Sequence, residues 1–134
     1  MKNLLPIAVM IIVTLVSCQD KKTKPENNEL NAAQDNNLRI QIELGEKLFN
    51  ENICDACHFK QPSEVGPTIK TIVETYNEQE KSIADFLQGK VKHIVDTDED
   101  QIAIMQMNID TFVAKLSVLE LEAIEVYMEH VADN

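Results

Sequence analysis

The five residues Cys54-Asp55-Ala56-Cys57-His58 constrain this chain more than any other feature. Two thiols separated by two residues fall on one helical turn, and an imidazole follows at once. C-x-x-C-H at this spacing is the pattern of covalent haem attachment: each thiol adds across one vinyl group, and the next residue is held beneath the porphyrin with its ring facing iron. The pattern therefore predicts thioether links at Cys54 and Cys57, a proximal ligand at His58 and one haem c per chain. Two other uses of the pair fit less well. A redox-active dithiol needs a strand–helix setting, and no segment here shows strand alternation of useful length. A zinc site needs two further ligands, and the remaining histidines are only His93 and His130.

The N-terminus adds a compartment. Lys2 precedes an apolar run from Leu4 to Val16 that is too short and too weakly flanked for a stable span, so residues 1–17 read as a secretion signal. The run ends in Leu15-Val16-Ser17-Cys18 and turns polar immediately at Gln19-Asp20-Lys21-Lys22. This ending resembles the lipobox of bacterial lipoproteins, which implies that Cys18 is lipidated and becomes the mature N-terminus. Residues 18–37 hold almost nothing able to bury itself, so a lipid anchor and a disordered tether are expected there, with the folded domain at 38–134. The expected location is the surface of a membrane facing the periplasm of a Gram-negative bacterium.

Composition limits what that domain can be. Glycine (3), proline (4) and aromatics (4%) are scarce, while 44% of the 134 residues are hydrophobic, a balance that suits short helices better than a turn-rich barrel. Leu38, Ile42, Gly45 and Phe49, with Leu48 alongside, mark one helical face. Gly45 in mid-helix costs about 1 kcal/mol relative to alanine and so suggests a close approach by another element. Pro67 suits the first turn of a helix carrying Ile69, Ile72, Val73 and Tyr76; a further helix through Ile83, Phe86 and Leu87 stops at Gly89. Ser117-Val118-Leu119-Glu120 is a capping box that opens a last helix buried through Ala123, Ile124, Tyr127, Met128 and Val131. The expected fold is an all-α bundle of four or five helices around the haem. The acidic run Asp96-Thr97-Asp98-Glu99-Asp100 imitates the start of an EF-hand loop but lacks its glycine and closing glutamate, and reads as a solvated loop. His130 reads as a favourable charge at a helix C-terminus.

Several of these segments together resemble the class I cytochrome c family. Gly45-Glu46-Lys47-Leu48-Phe49 is similar to the family's first helix, Gly66-Pro67 to its proximal-side Gly-Pro, and Leu116 to Tyr127 to its closing helix. The resemblance spans about Leu38 to Val131. It implies that the first and last helices cross closely at Gly45, that the Pro67 carbonyl accepts from the ring N–H of His58, and that a methionine from a loop before the last helix is the sixth ligand. Ile104-Met105-Gln106-Met107-Asn108 offers two. Matching the family's Met-Gln-Pro selects Met105 but puts Met107 where proline stands, so Met107 stays as the alternative, with His93 or an open site behind it.

The function expected from these readings is a monohaem carrier of single electrons between respiratory redox proteins, with no substrate transformed. The competing readings are a haem-based ligand sensor with an open sixth site and a haem subunit of a larger respiratory complex. The chain's formal net charge is −11, and from Leu38 onward 8 basic residues face 19 acidic ones. Nucleic acid is excluded as a partner by that balance, and a redox partner with a basic or apolar docking face is expected, with the carrier itself a monomer.

Overall fold

A computed structural model describes residues 27–62 and 65–134, so the predicted signal (1–17) and Cys18 lie outside the described residues. Five α-helices follow in order: α1 (Asn27–Glu51), α2 (Ile69–Glu78), α3 (Ile83–Leu87), α4 (Glu99–Asn108) and α5 (Val118–Ala132). A 3-10 turn at Cys54–Ala56 follows α1, and a π-turn at Ile109–Val113 follows α4. Among the described residues there is no strand, and the fold is the expected all-α bundle.

α5 is the central element, packed by α1, α2 and α3. Its start is set locally: Ser117 Oγ accepts from Glu120 N, and the Glu120 carboxylate accepts from Ser117 N at 2.8 Å, the reciprocal capping box. Those bonds hold the Glu120 carboxyl below its ordinary value. Leu121, Ile124 and Met128 are buried in the core, whereas Tyr127 and Val131 are half-buried at its edge. α1 crosses α5 at Gly45. A Cβ there would overlap the Ala123 carbonyl oxygen and stand 2.6 Å from Tyr127 Cβ, so only glycine lets the two backbones meet. Leu48 and Phe49 seal the crossing, with the Phe49 ring tilted 58° against Tyr127 at 5.4 Å.

Three expectations need correcting here. Leu38 is 50% exposed and so lies outside the buried part of the predicted apolar face, which is carried by Gly45, Leu48 and Phe49. The segment expected to be a disordered tether is helical from Asn27 onward, although every side chain from Asn31 to Ile40 is exposed. No proline or glycine lies between Glu26 and Leu44, and adding turns to a helix already nucleated by packing costs far less than starting one. Finally, Pro67 does not stand in the first turn of α2: Thr68 is the cap, its hydroxyl accepting from Thr71 N at 3.0 Å, which leaves Pro67 one residue before it.

The start of α3 shows what local patterns do not carry. Ser82 caps the helix by accepting from Asp85 N, and the Glu125 carboxylate of α5 takes Ser82 Oγ at 2.8 Å, Ile83 N at 2.6 Å and Ala84 N at 3.3 Å. One charged acceptor thus satisfies amides that a five-residue helix leaves free. At its other end Gly89 adopts φ 74°, the left-handed stop read from the sequence. Glu125→Ala is expected to cost about 2 kcal/mol, as removal of a charged acceptor leaves buried donors unpaired; urea unfolding followed by circular dichroism measures it. No loss of stability would show that water replaces the carboxylate freely.

Candidate haem site

The attachment motif is built on the end of α1. Asn52 N donates to the Leu48 carbonyl at 3.0 Å and its side-chain amide donates to the same oxygen at 2.8 Å, closing the helix. Ile53 then takes φ 62°, ψ 22°, a left-handed conformation that crowds a β-branched side chain. This residue redirects the chain so that Cys54–Ala56 wind as a 3-10 turn, with Cys57 N at 3.2 Å and His58 N at 2.9 Å from the Cys54 carbonyl. Cys54, Cys57 and His58 are thereby fixed on one turn.

All three line a single cavity of about 470 Å³. That volume lies within the roughly 300–1,000 Å³ typical of small-molecule and cofactor sites, and the walls are mainly apolar. Both cysteines are free thiols and half-buried. Burial, and then the neighbouring Asp55 charge, push the Cys54 thiol up to about 11. A thiol held that high is the reverse of a redox-active dithiol, whose reactivity depends on a lowered value. Among the described residues no three His, Cys, Asp or Glu side chains converge as a zinc site requires.

His58 is oriented from behind. Its Nδ1 lies 3.1 Å from the Pro67 carbonyl oxygen, which can only accept, so Nδ1 carries the proton and donates. The lone pair is then on Nε2. Burial lowers the His58 value below the ordinary 6.5, against the smaller opposing effect of the Pro67 bond, so the ring is neutral at pH 7 as a metal ligand must be. Gly66 completes this wall: a Cβ there would come 2.9 Å from the Cys57 carbonyl oxygen, so the Gly66-Pro67 backbone can lie directly on the cysteine turn. Ile69 N donates to the Phe59 carbonyl at 3.0 Å and ties the start of α2 to the residues after the motif.

The two methionines separate. Met105 is half-buried, packs on the core and lines the cavity, whereas Met107 is 60% exposed and does not line it. Both stand in helix α4 rather than in the expected loop. The acidic run that precedes them caps that helix: Asp98 Oδ1 accepts from Asp100 N and Gln101 N, each at 3.0 Å, and Asp96 Oδ1 accepts from Asp98 N at 3.0 Å. His93 sits exposed at the cavity rim, and His130 is exposed in the last turn of α5, away from the cavity.

Sequence reasoning missed much of the wall. Val91, Ile94 and Val95 cover the cavity from the irregular segment between α3 and α4, and Tyr76 and Phe86 close it from α2 and α3. The signal available was a short apolar cluster, Val91-x-x-Ile94-Val95, in a stretch with no helical period of its own. No family model matches the chain, and no curated protein is significantly similar to it.

Proposed function

We propose that this chain is a monohaem c-type cytochrome that carries single electrons between respiratory redox proteins and transforms no substrate. The observation that carries the reading is the convergence of Cys54, Cys57, His58 and Met105 on one largely apolar cavity, with His58 held by the Pro67 carbonyl. The residues present fit a covalently bound haem. Cys54 and Cys57 would hold it through thioether sulfurs, and His58 Nε2 and the Met105 sulfur would be its iron ligands. Bound haem supplies a ferric/ferrous couple.

The rest belongs to the protein. The Pro67 carbonyl keeps the proton on Nδ1 and makes the imidazole a stronger donor. Sulfur from Met105 favours the ferrous state and so a relatively high potential. The apolar walls exclude water and disfavour the extra positive charge of the ferric state in the same direction. The sixth position is the point of difference from a haem ligand sensor, and Met105 lining the cavity supports the carrier.

The proposed setting is an exported lipoprotein held through Cys18 at a membrane surface facing the periplasm, meeting its redox partner through a basic or apolar face. Among the described residues no helix is long and apolar enough to cross a membrane.

The test is chemical. Purified protein from an expression host able to attach haem should keep its colour on the polypeptide after acid denaturation and extraction with organic solvent, and Cys54→Ser with Cys57→Ser should abolish this. Complete extraction from the natural sequence would end the proposal.

A further inference from the structure

The first half of α1 is a helix that its own surroundings do not account for. Every side chain from Asn31 to Ile40 is exposed, and a helix that stands in water without packing one face is marginal at this length. Its exposed residues are ordered. Ala33, Asn37, Ile40 and Leu44 follow at steps of four, three and four, and all are exposed, Ile40 by 51% and Leu44 by 38%. Leu30 continues the spacing one step back in the sequence. This is the seven-residue spacing of a coiled coil, with Leu30, Asn37 and Leu44 at a and Ala33 and Ile40 at d. In the same register Gly45 and Phe49, which meet α5, fall at b and f, so the seam lies off the packed face and is open to solvent.

Charge excludes a lipid surface as the cover. Asn27 to Leu44 holds one basic residue, Arg39, whereas helices that lie on membranes are rich in Lys and Arg. Charge also marks this segment as the place where two copies can meet. Glu29, Asp35 and Glu43 against Arg39 give it −2, while the whole chain carries −11 and repels its own copy elsewhere.

Asn37 selects the partner and the direction. A parallel, in-register pair sets a against a, so the Asn37 amide meets the same amide of the second copy and one donates to the other. An antiparallel pair sets a against d, which puts Asn37 opposite isoleucine or alanine with its hydrogen bonds unmet. The flanks agree: in the parallel pair g faces the next e, Glu29 against Gln34 and Asn36 against Gln41, with no like charges opposed. We infer that two copies of this chain pair in parallel through the seam of Leu30, Ala33, Asn37, Ile40 and Leu44. The monomer expected from the sequence gives way to a dimer. The seam, at about 1.5 Å per residue from Asn27 to Leu44, is roughly 27 Å long, short for a coiled coil, so the pairing is weak and is measured where the chain is concentrated, in the cell. It uses no residue of the haem site and so stands or falls apart from the function proposed above.

The experiment expresses the full chain with single added cysteines and treats intact cells with a short, membrane-permeant bismaleimide; the natural chain is the blank for Cys18, Cys54 and Cys57. Ala33→Cys and Leu44→Cys are each expected to give a product of twice the chain's mass about tenfold faster than Asp35→Cys and Glu46→Cys, which are also exposed but on the far side of the helix, because thiols held side by side react at an effective concentration well above the bulk one. Adding Ile40→Glu, which sets a charge in the seam and leaves the buried core untouched, should remove the difference. A difference that survives Ile40→Glu overturns the seam. Equal rates from both sides of the helix mean collision alone and overturn the proposal, as does a product of any other mass in place of the doubled chain. Linking confined to co-expressed Ala33→Cys and Leu44→Cys shows an antiparallel pair and overturns the parallel one.

Discussion

Gly45→Ala is expected to destabilise the protein by about 3 kcal/mol, at the upper end of what overpacking costs, and to lower the melting temperature by roughly 10–25 °C. The direction is the informative part. In an exposed helix the same change gains about 1 kcal/mol, because alanine is the better helix former. Here the added methyl meets the Ala123 carbonyl oxygen and the Tyr127 Cβ, atoms at the root of α5 that no side-chain rotation moves aside. The helix axes must separate, and the buried contacts of Leu48, Phe49 and Ile124 open with them. Thermal denaturation of the two proteins side by side decides the matter. An unchanged or higher melting temperature in the variant would mean that α1 and α5 lie further apart than described.

Met105→Ala is expected to lower the reduction potential by on the order of 0.1–0.3 V, a part of the roughly 0.8 V over which axial ligands set haem potentials. Carbon monoxide should then bind readily to the reduced variant and weakly to the natural protein. Met107→Ala should change neither, since that side chain is 60% exposed and does not line the cavity. An optical redox titration with carbon monoxide addition reads both effects. The opposite ranking would move the sixth ligand to Met107, and equal silence of both variants would favour a sensor with an open position.

What the sequence disclosed and what it withheld divide along a physical line. The capping box at Ser117 and Glu120 and the left-handed stop at Gly89 were legible because each is decided by bonds or dihedrals within a few residues. Gly45 was legible for a different reason: its cost inside a helix has to be offset by contact, and α5 supplies that contact. In the site, the spacing of Cys54, Cys57 and His58 placed three groups on one turn, and the Pro67 carbonyl stands where the resemblance implied.

The remainder depended on partners far along the chain. Glu125 is more than 40 residues from the amides it caps, and nothing around it marks it as a cap. The methionines of α4 were expected in a loop because the family resemblance implied one before the last helix, where the structure has a helix. Met105 packs on the core and lines the cavity, Ile104 lines the cavity although it is 46% exposed, and Met107 stays exposed outside it, so the helix carries apolar residues around much of its circumference. The left-handed Ile53 was unreadable for the opposite reason, since local preference argues against that conformation and the turn into the cysteines imposes it.

The unbroken run of α1 gives the molecule a mechanical character as well as a folded one. Twenty-five residues at about 1.5 Å each make a rod roughly 37 Å long, whose side chains from Asn31 to Ile40 are all exposed and whose buried positions, Gly45, Leu48 and Phe49, lie near its end. From Asn27 to the Gly45 crossing the chain is therefore a stalk and not a string. A pull or twist applied there travels along the helix axis into the Gly45 crossing and on to the turn that carries Cys54, with little slack to absorb it.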